Sequence, residues 1–113
     1  MDFNHVVALI TAPSQEVARQ IANTLLEKRL AACVNTVVPV NSLYTWKGVV
    51  TEDEEVLMVV KTRAAGFEQV FIPAVKAMHP YEVPEIIALP IVMGLGSYLD
   101  WIDEVTGEFQ DEE

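Results

Sequence analysis

Residues 79–85 (HPYEVPE) place a histidine, a phenol and two carboxylates between and beside two prolines. Proline lacks a backbone donor and fixes φ, so this segment is predicted to be neither helix nor central strand. A helix-like pattern precedes it and a strand-like run follows it, which makes it a stiff connector. Such a connector can hold ionisable groups in fixed directions, as a functional site requires. The same residues would also suit a rigid corner.

The connector offers acid–base groups but few partners for catalysis. His79, Tyr81 and Glu82 could transfer protons, with Lys61 as an electrostatic partner at the end of a buried strand. No activated nucleophile, phosphate-binding glycine loop or metal-ligand spacing accompanies them. Cys33 follows two alanines at the entrance to a strand and is expected to pack as a small hydrophobe. We therefore expect a protein that is not an enzyme, and catalysis by the connector groups at a subunit cleft is the alternative.

His79 and Glu82 are also the candidate metal ligands. Imidazole and carboxylate could bind Cu²⁺ or another divalent cation weakly, with the ligand set completed by another subunit. A lone histidine is more often a hydrogen-bonded structural residue. We expect no required cofactor, and a divalent cation is the one candidate.

Composition indicates a single acidic domain over residues 1–113. Hydrophobic residues make up 51% of the chain and the formal net charge is −10. An acidic surface repels a phosphate backbone, so no nucleic-acid partner is expected. The longest uncharged stretch, residues 30–46, contains a proline and two asparagines, so no membrane span is expected. The absence of a secretory pattern and the single cysteine favour a cytoplasmic location. Residues 108–113 are predicted to form an acidic, flexible tail.

The hydrophobic pattern predicts four strands and three helices. A bend or bulge is expected at Pro39, a tight turn at Lys47 and Gly48, and a kink or late helix start at Pro73. A capping box at Ser97 opens the last helix and Gly107 closes it. The predicted elements are strand 5–11, helix 14–30, strand 32–46, strand 49–62, helix 66–78, strand 85–92 and helix 97–107. This order is the α+β, ferredoxin-like βαββαβ arrangement with an added C-terminal helix.

The two central strands are predicted to form a hairpin that outgrows its own domain. Strands of about 14 residues would span about 46 Å, whereas a compact chain of this length is about 35 Å across. The apolar tip, Leu43, Tyr44, Trp46 and Val49, would be costly to leave in water. We expect an obligate homo-oligomer that covers it. The alternative is a pair of shorter strands that meet at a turn in the acidic run 52–55.

Three motifs, in order and at their spacing, resemble one family over nearly the whole chain. They are residues 31–35 (AACVN), residues 44–48 (YTWKG) and residues 79–85 (HPYEVPE). This combination resembles the CutA divalent-cation tolerance proteins. The resemblance implies a ferredoxin-like subunit in a tight homotrimer, similar in architecture to the PII signalling proteins, with a role in tolerance to divalent cations, copper especially. The members tied to copper carry a cysteine and a second histidine where this chain has Ile10 and Met78.

The predicted function follows from these observations. We expect a trimeric divalent-cation tolerance protein with weak copper or other divalent metal binding, and a small-ligand sensor or scaffold without metal is the alternative. The lateral cleft between subunits is predicted to be lined by Trp46, Lys61, His79, Tyr81 and Glu82.

Overall fold

The computed structural model describes the backbone of residues 3–111 and the side chains of residues 3–107. The predicted α+β order is confirmed, with a short π-helical turn added before the second helix. The elements are β1 His5–Ala12, α1 Gln15–Glu27, β2 Cys33–Trp46, β3 Val49–Arg63, a π-helical turn Phe67–Phe71, α2 Ile72–Met78, β4 Ile86–Pro90 and α3 Gly96–Asp111.

The four strands form one antiparallel sheet in the order β2-β3-β1-β4. Ala8 of β1 lies between Val60 of β3 and Ala88 of β4, so β1 and β3 are the central strands. Pro90 ends β4 at the sheet edge, where its missing N–H breaks no ladder. This arrangement is the strand order of the ferredoxin-like fold.

One face of the sheet carries the core. Alternate residues of β1, Val6 to Ala12, are buried against α1, whose Ile21 and Leu25 are fully buried on the facing stripe. Ser14 caps α1, because its Oγ accepts the amide hydrogen of Val17 at 3.2 Å. Ile10 is fully buried in this core, and Met78 packs against the core from α2. Both residues therefore act as hydrophobic packing in this chain.

The other face of the sheet is largely uncovered. Val7 and Leu9 of β1 are only partly buried there, and Ile87 and Leu89 of β4 are about half exposed. α3 covers one end of this face, where Asp103 bonds to His5 at 3.0 Å. A sheet with one bare apolar face needs a further layer to complete it.

The hairpin of β2 and β3 turns at Lys47 and Gly48, as predicted. Both residues have positive φ, 52° and 82°, which is the type I′ combination that matches strand twist. The acidic run 52–55 lies within β3, paired with β2, so the alternative of a turn there is wrong. The hairpin gives the subunit a longest dimension of 43 Å against 29 and 24 Å for the other two.

A register shift between Val37 and Val40 interrupts the β2–β3 ladder. Val37 pairs with Leu57 and Val40 pairs with Glu55, so Val38 and Pro39 together oppose one residue of β3. This is the predicted bulge at Pro39, which cannot donate to the ladder.

α2 begins late, as the proline in its first turn predicts. The segment before it, Phe67–Phe71, is π-helical, and regular α-helix begins at Ile72 with Pro73 in the first turn. The first amides of a helix have no intrahelical acceptor, so proline costs little at that position.

α3 differs from its predicted bounds at both ends. It begins at Gly96, with Leu95 accepting the amide hydrogens of Tyr98 and Leu99, so Ser97 lies in the first turn and not at the N-cap. It continues through Gly107 to Asp111, so Gly107 does not close it. The predicted flexible tail over 108–113 lies beyond the described side chains, and residues 112–113 lie outside the described backbone. Among residues 3–111, no helix combines the length and apolar character that crossing a membrane requires.

Candidate functional site

A cavity of about 780 Å³ lies between the hairpin and the connector of residues 79–85. Its hairpin wall comes from β2 beyond the bulge and from the start of the buried part of β3. Its other wall is the connector, with Thr11 from the end of β1. Three aromatic rings and three carboxylates dominate its chemistry: Tyr44, Trp46, Tyr81, Glu55, Glu82 and Glu85.

His79 fixes the connector to the sheet through both of its ring nitrogens. The amide hydrogen of Tyr81 bonds to Nδ1 at 3.2 Å, so Nδ1 is the unprotonated nitrogen. Nε2 then carries the hydrogen and donates it to the Thr11 carbonyl at 2.7 Å. The side chain is 8% exposed. This is a neutral imidazole in a structural role, and a metal ion could bind it only by displacing one of these bonds.

Tyr81 connects the connector to β3. Its hydroxyl donates to Glu55 Oε2 at 2.7 Å, and its ring lies 4.8 Å from the ring of His79. Burial raises the pKa of the Tyr81 phenol, and the bond to the Glu55 carboxylate raises it further. Glu55 is itself only 7% exposed, so the phenol is one of the groups that stabilise a buried carboxylate.

A second phenol–carboxylate pair lies nearer the hairpin tip. Tyr44 donates its hydroxyl hydrogen to Asp53 across the two strands. This hydrogen bond raises the pKa of the Tyr44 phenol above its ordinary range. Tyr44 faces Thr51 in the ladder, so Asp53 is its diagonal neighbour on the same strand face.

The structure brings most of the predicted cleft residues to the cavity. Trp46, Tyr81 and Glu82 line it, and His79 lies buried directly behind Tyr81. Lys61 does not reach it: six positions along β3 from Glu55, or about 20 Å, its ammonium donates to the amide oxygen of Asn35.

The sequence alone did not identify Glu55. The acidic run 52–55 was expected to be a solvated edge, yet Glu55 is buried and lines the cavity. One signal was available: Glu55 adjoins the buried stretch that begins at Val56, and it alternates in phase with Leu57 and Val59. That phase places it on the sheet face opposite the core.

The described residues contain no group of three or more His, Cys, Asp or Glu side chains close enough to hold a metal ion. Cys33 is half-buried and its Sγ lies 3.8 Å from Asn35 Oδ1, with no base printed beside it among residues 3–107. The weak metal site at His79 and Glu82 stays a prediction. A nucleophile–base pair of the kind that covalent catalysis uses is not assembled in this part of the chain.

Comparison with known proteins gives a consistent family. The family model for the CutA1 divalent ion tolerance protein matches residues 6–105. The divalent-cation tolerance protein CutA of Thermus thermophilus is 56% identical over 101 residues, which are 89% of this chain and 97% of that protein. Human Protein CutA is 45% identical over 108 residues, 92% of this chain but 58% of the longer human protein.

Solved structures agree with the sequence comparison. The structure of the periplasmic divalent cation tolerance protein CutA from Archaeoglobus fulgidus is similar to this chain with a TM-score of 0.86 at 50% identity. The similarity covers 90% of this chain and 98% of that one. With the family model matched over most of its length, the chain belongs to the CutA1 divalent ion tolerance protein family.

Proposed function

We propose that this chain is a non-catalytic, trimeric module of divalent-cation tolerance that works by binding a small ligand or ion in the cavity between hairpin and connector. The observation that carries the proposal is the cavity itself, which gathers Trp46, Tyr81 and Glu82 around the buried Glu55. Concave sites with a few convergent polar groups are the usual form of small-ligand sites. The family is named for tolerance to divalent ions and not for a reaction.

The exposed hairpin tip supports the trimer. Leu43, Val49 and Val50 are 66%, 63% and 74% exposed in the single chain, and the sheet face beside them is also bare. Apolar surface of this extent marks a protein–protein contact. Tyr44 and Trp46 belong to both the tip and the cavity wall, so a sister chain packed on the tip would border the cavity.

Weak divalent metal binding is the second candidate. It is favoured by the charge of the cavity wall, whose ionised side chains within the described part of the chain are all carboxylates. Cu²⁺ would bind Glu82, and His79 would join only by giving up its bond to Thr11 or to Tyr81. The enzyme alternative, with His79, Tyr81 and Glu82 as proton-transfer groups, lacks support because His79 already uses both nitrogens.

A fluorescence titration tests the binding proposal. The chain has two tryptophans, so Trp101→Phe leaves Trp46 as the single reporter in the cavity wall. We expect saturable changes in Trp46 emission on titration with Cu²⁺ or Zn²⁺ if a metal is the ligand. His79→Ala then tests ligation by the connector histidine, and His5→Ala is the matched control at the other end of the sheet.

Each result has one meaning. Binding lost in His79→Ala and kept in His5→Ala places the metal at the connector. Binding kept in both places it at the carboxylates. An unchanged Trp46 signal with every metal removes the metal candidate and leaves small-ligand sensing, which the same reporter tests with organic compounds.

The trimer is tested by light scattering on the purified chain. We expect a mass about three times the 12.6 kDa of the chain at micromolar concentration. A stable monomer under these conditions would contradict the trimer. A cytoplasmic location also stays a prediction, since relatives are described as periplasmic in Archaeoglobus fulgidus and chloroplastic in Arabidopsis thaliana.

A further inference from the structure

The cavity wall combines aromatic rings with carboxylates and contains no basic side chain among the described residues. Tyr44, Trp46 and Tyr81 supply the rings, and Leu43 and Val83 add aliphatic surface. Rings attract cations through their electron-rich faces, and aliphatic surface favours a hydrocarbon stem. This lining suits an organic cation better than an anion or a neutral sugar.

Glu55 is the deepest charge in this wall. It is 7% exposed, and its printed hydrogen bond is the one from the Tyr81 hydroxyl. The ion pairs found among the described side chains both involve Asp103, so Glu55 has no cationic partner within this part of the chain. A buried carboxylate without a paired cation is costly, and a bound cation would remove that cost.

Trp46 already holds an ammonium group of the chain itself. The Nζ atom of Lys47 lies 5.7 Å from the centre of the indole ring, within the range of a cation–π contact. This contact is independent of the carboxylates. It shows that the Trp46 ring is placed where an ammonium group can approach it.

An inorganic metal ion explains less of this wall. No cluster of three metal-ligating side chains exists among residues 3–107, and one Glu55 oxygen is engaged by Tyr81. The rings and aliphatic side chains would contribute nothing to coordination of a hard cation. They would all contact an alkylammonium ligand.

We propose that the cavity binds an aliphatic amine, with one ammonium group paired with Glu55 and the stem lying along the rings of Tyr81 and Trp46. A diamine suits the site best, because Glu82 and Glu85 are exposed at the mouth and would meet the second ammonium group. This inference rests on the proposed function, since it names the ligand class of the same cavity.

Titration of Trp46 emission with diaminobutane, in the Trp101→Phe background, tests it. Butanediol is the neutral probe of the same length, and Mg²⁺ is the inorganic dication. We expect saturable binding of the diamine and none of the diol. Glu55→Gln should weaken diamine binding by at least about tenfold, because the charge is lost while the amide oxygen still accepts from Tyr81.

Glu54→Gln is the matched control. Glu54 is the neighbouring residue of the same strand, exposed and outside the cavity, and the substitution changes net charge equally. We expect its diamine affinity to stay within about twofold of the parent. Glu82→Gln gives a second reading at an exposed position where folding is not at risk, and a loss of about threefold or more is expected.

Three results would overturn the inference: equal affinity for diamine and diol, an equal loss in Glu54→Gln and Glu55→Gln, or no loss in either cavity variant. A cavity that binds metal ions but no amine sinks the inference and leaves the proposed function intact. A Trp46 signal that responds to no ion and no organic compound removes both.

Discussion

At the scale of single residues, the connector is held by hydrogen bonds from two aromatic side chains. His79 ties it to the end of β1, and Tyr81 ties it to Glu55 of β3. The two rings lie 4.8 Å apart, so each limits the movement of the other. The ionisable groups singled out in the sequence are therefore positioned, but His79 serves structure and leaves the cavity chemistry to the carboxylates.

Tyr81→Phe is expected to destabilise the chain. It removes the hydroxyl that donates to the buried Glu55 carboxylate, and an unsatisfied buried acceptor costs about 1–3 kcal/mol. The free energy of unfolding in urea measures the loss. Tyr44→Phe is the control, because its bond to Asp53 is exposed and its loss should have a much smaller effect. Equal losses in the two variants would contradict the role assigned to Glu55.

Alkaline pH is expected to weaken the fold through the same phenol. The pKa of Tyr81 is raised above its unfolded value of about 10, so the folded chain keeps a proton that the unfolded chain loses. The stabilisation is complete below pH about 10 and falls as the pH rises above it. Urea unfolding at a series of alkaline pH values measures this slope. Tyr81→Phe should show a shallower slope than the parent chain, and an unchanged slope would contradict the assignment.

At the scale of elements, the turn of the hairpin depends on backbone conformation alone. Gly48 has φ of 82°, and a Cβ atom built there meets nothing within 4 Å. Gly48→Ala should therefore cost about 1 kcal/mol purely from the left-handed conformation. Thermal and urea unfolding measure it. Gly96→Ala is the matched control: it also has open space, without positive φ, and opens α3, so no loss is expected.

The elements were predictable wherever local chemistry decides them. Period-two and period-four patterns located the strands and helices, Pro39 marked the bulge and Gly48 marked the turn. The ends of α3 were not, because Ser97 and Gly107 carry capping chemistry that the fold does not use. At Gly107 the space that a Cβ would fill holds the Arg63 guanidinium, 2.5 Å away, so packing against another element selects glycine there. Single-sequence patterns carry no information on such contacts.

At the scale of the whole molecule, the bare hairpin tip should control assembly. Val49→Lys puts a charge where a sister chain is proposed to pack, and an unpaired charge buried there would cost several kcal/mol. We expect light scattering to show the mass falling toward that of one chain. Leu26→Lys is the control, since Leu26 is exposed on α1, away from the tip. An unchanged mass for Val49→Lys would show that the tip is not the contact.

The cavity could be predicted only in part, because it is assembled from three separated segments. The connector and Trp46 were recognisable from residue types and motif. Glu55 was hidden in an acidic run whose neighbours are solvated, and its burial depends on the connector crossing above it. Lys61 was grouped with the site as the nearest cation in sequence, but strand length carries it to the far end of the sheet.

The bulge at Val38 and Pro39 has a consequence for how this protein tolerates changes in length. Strand side chains alternate, so the extra residue sets which half of the hairpin arm turns toward the carboxylates. With it, Tyr44 and Trp46 share a side with Asp53 and Glu55. Deleting a single codon there would invert the arm and present Leu43 and Thr45 instead. The chain should thus accept many substitutions along this arm but no frame-preserving loss of one residue between positions 37 and 40.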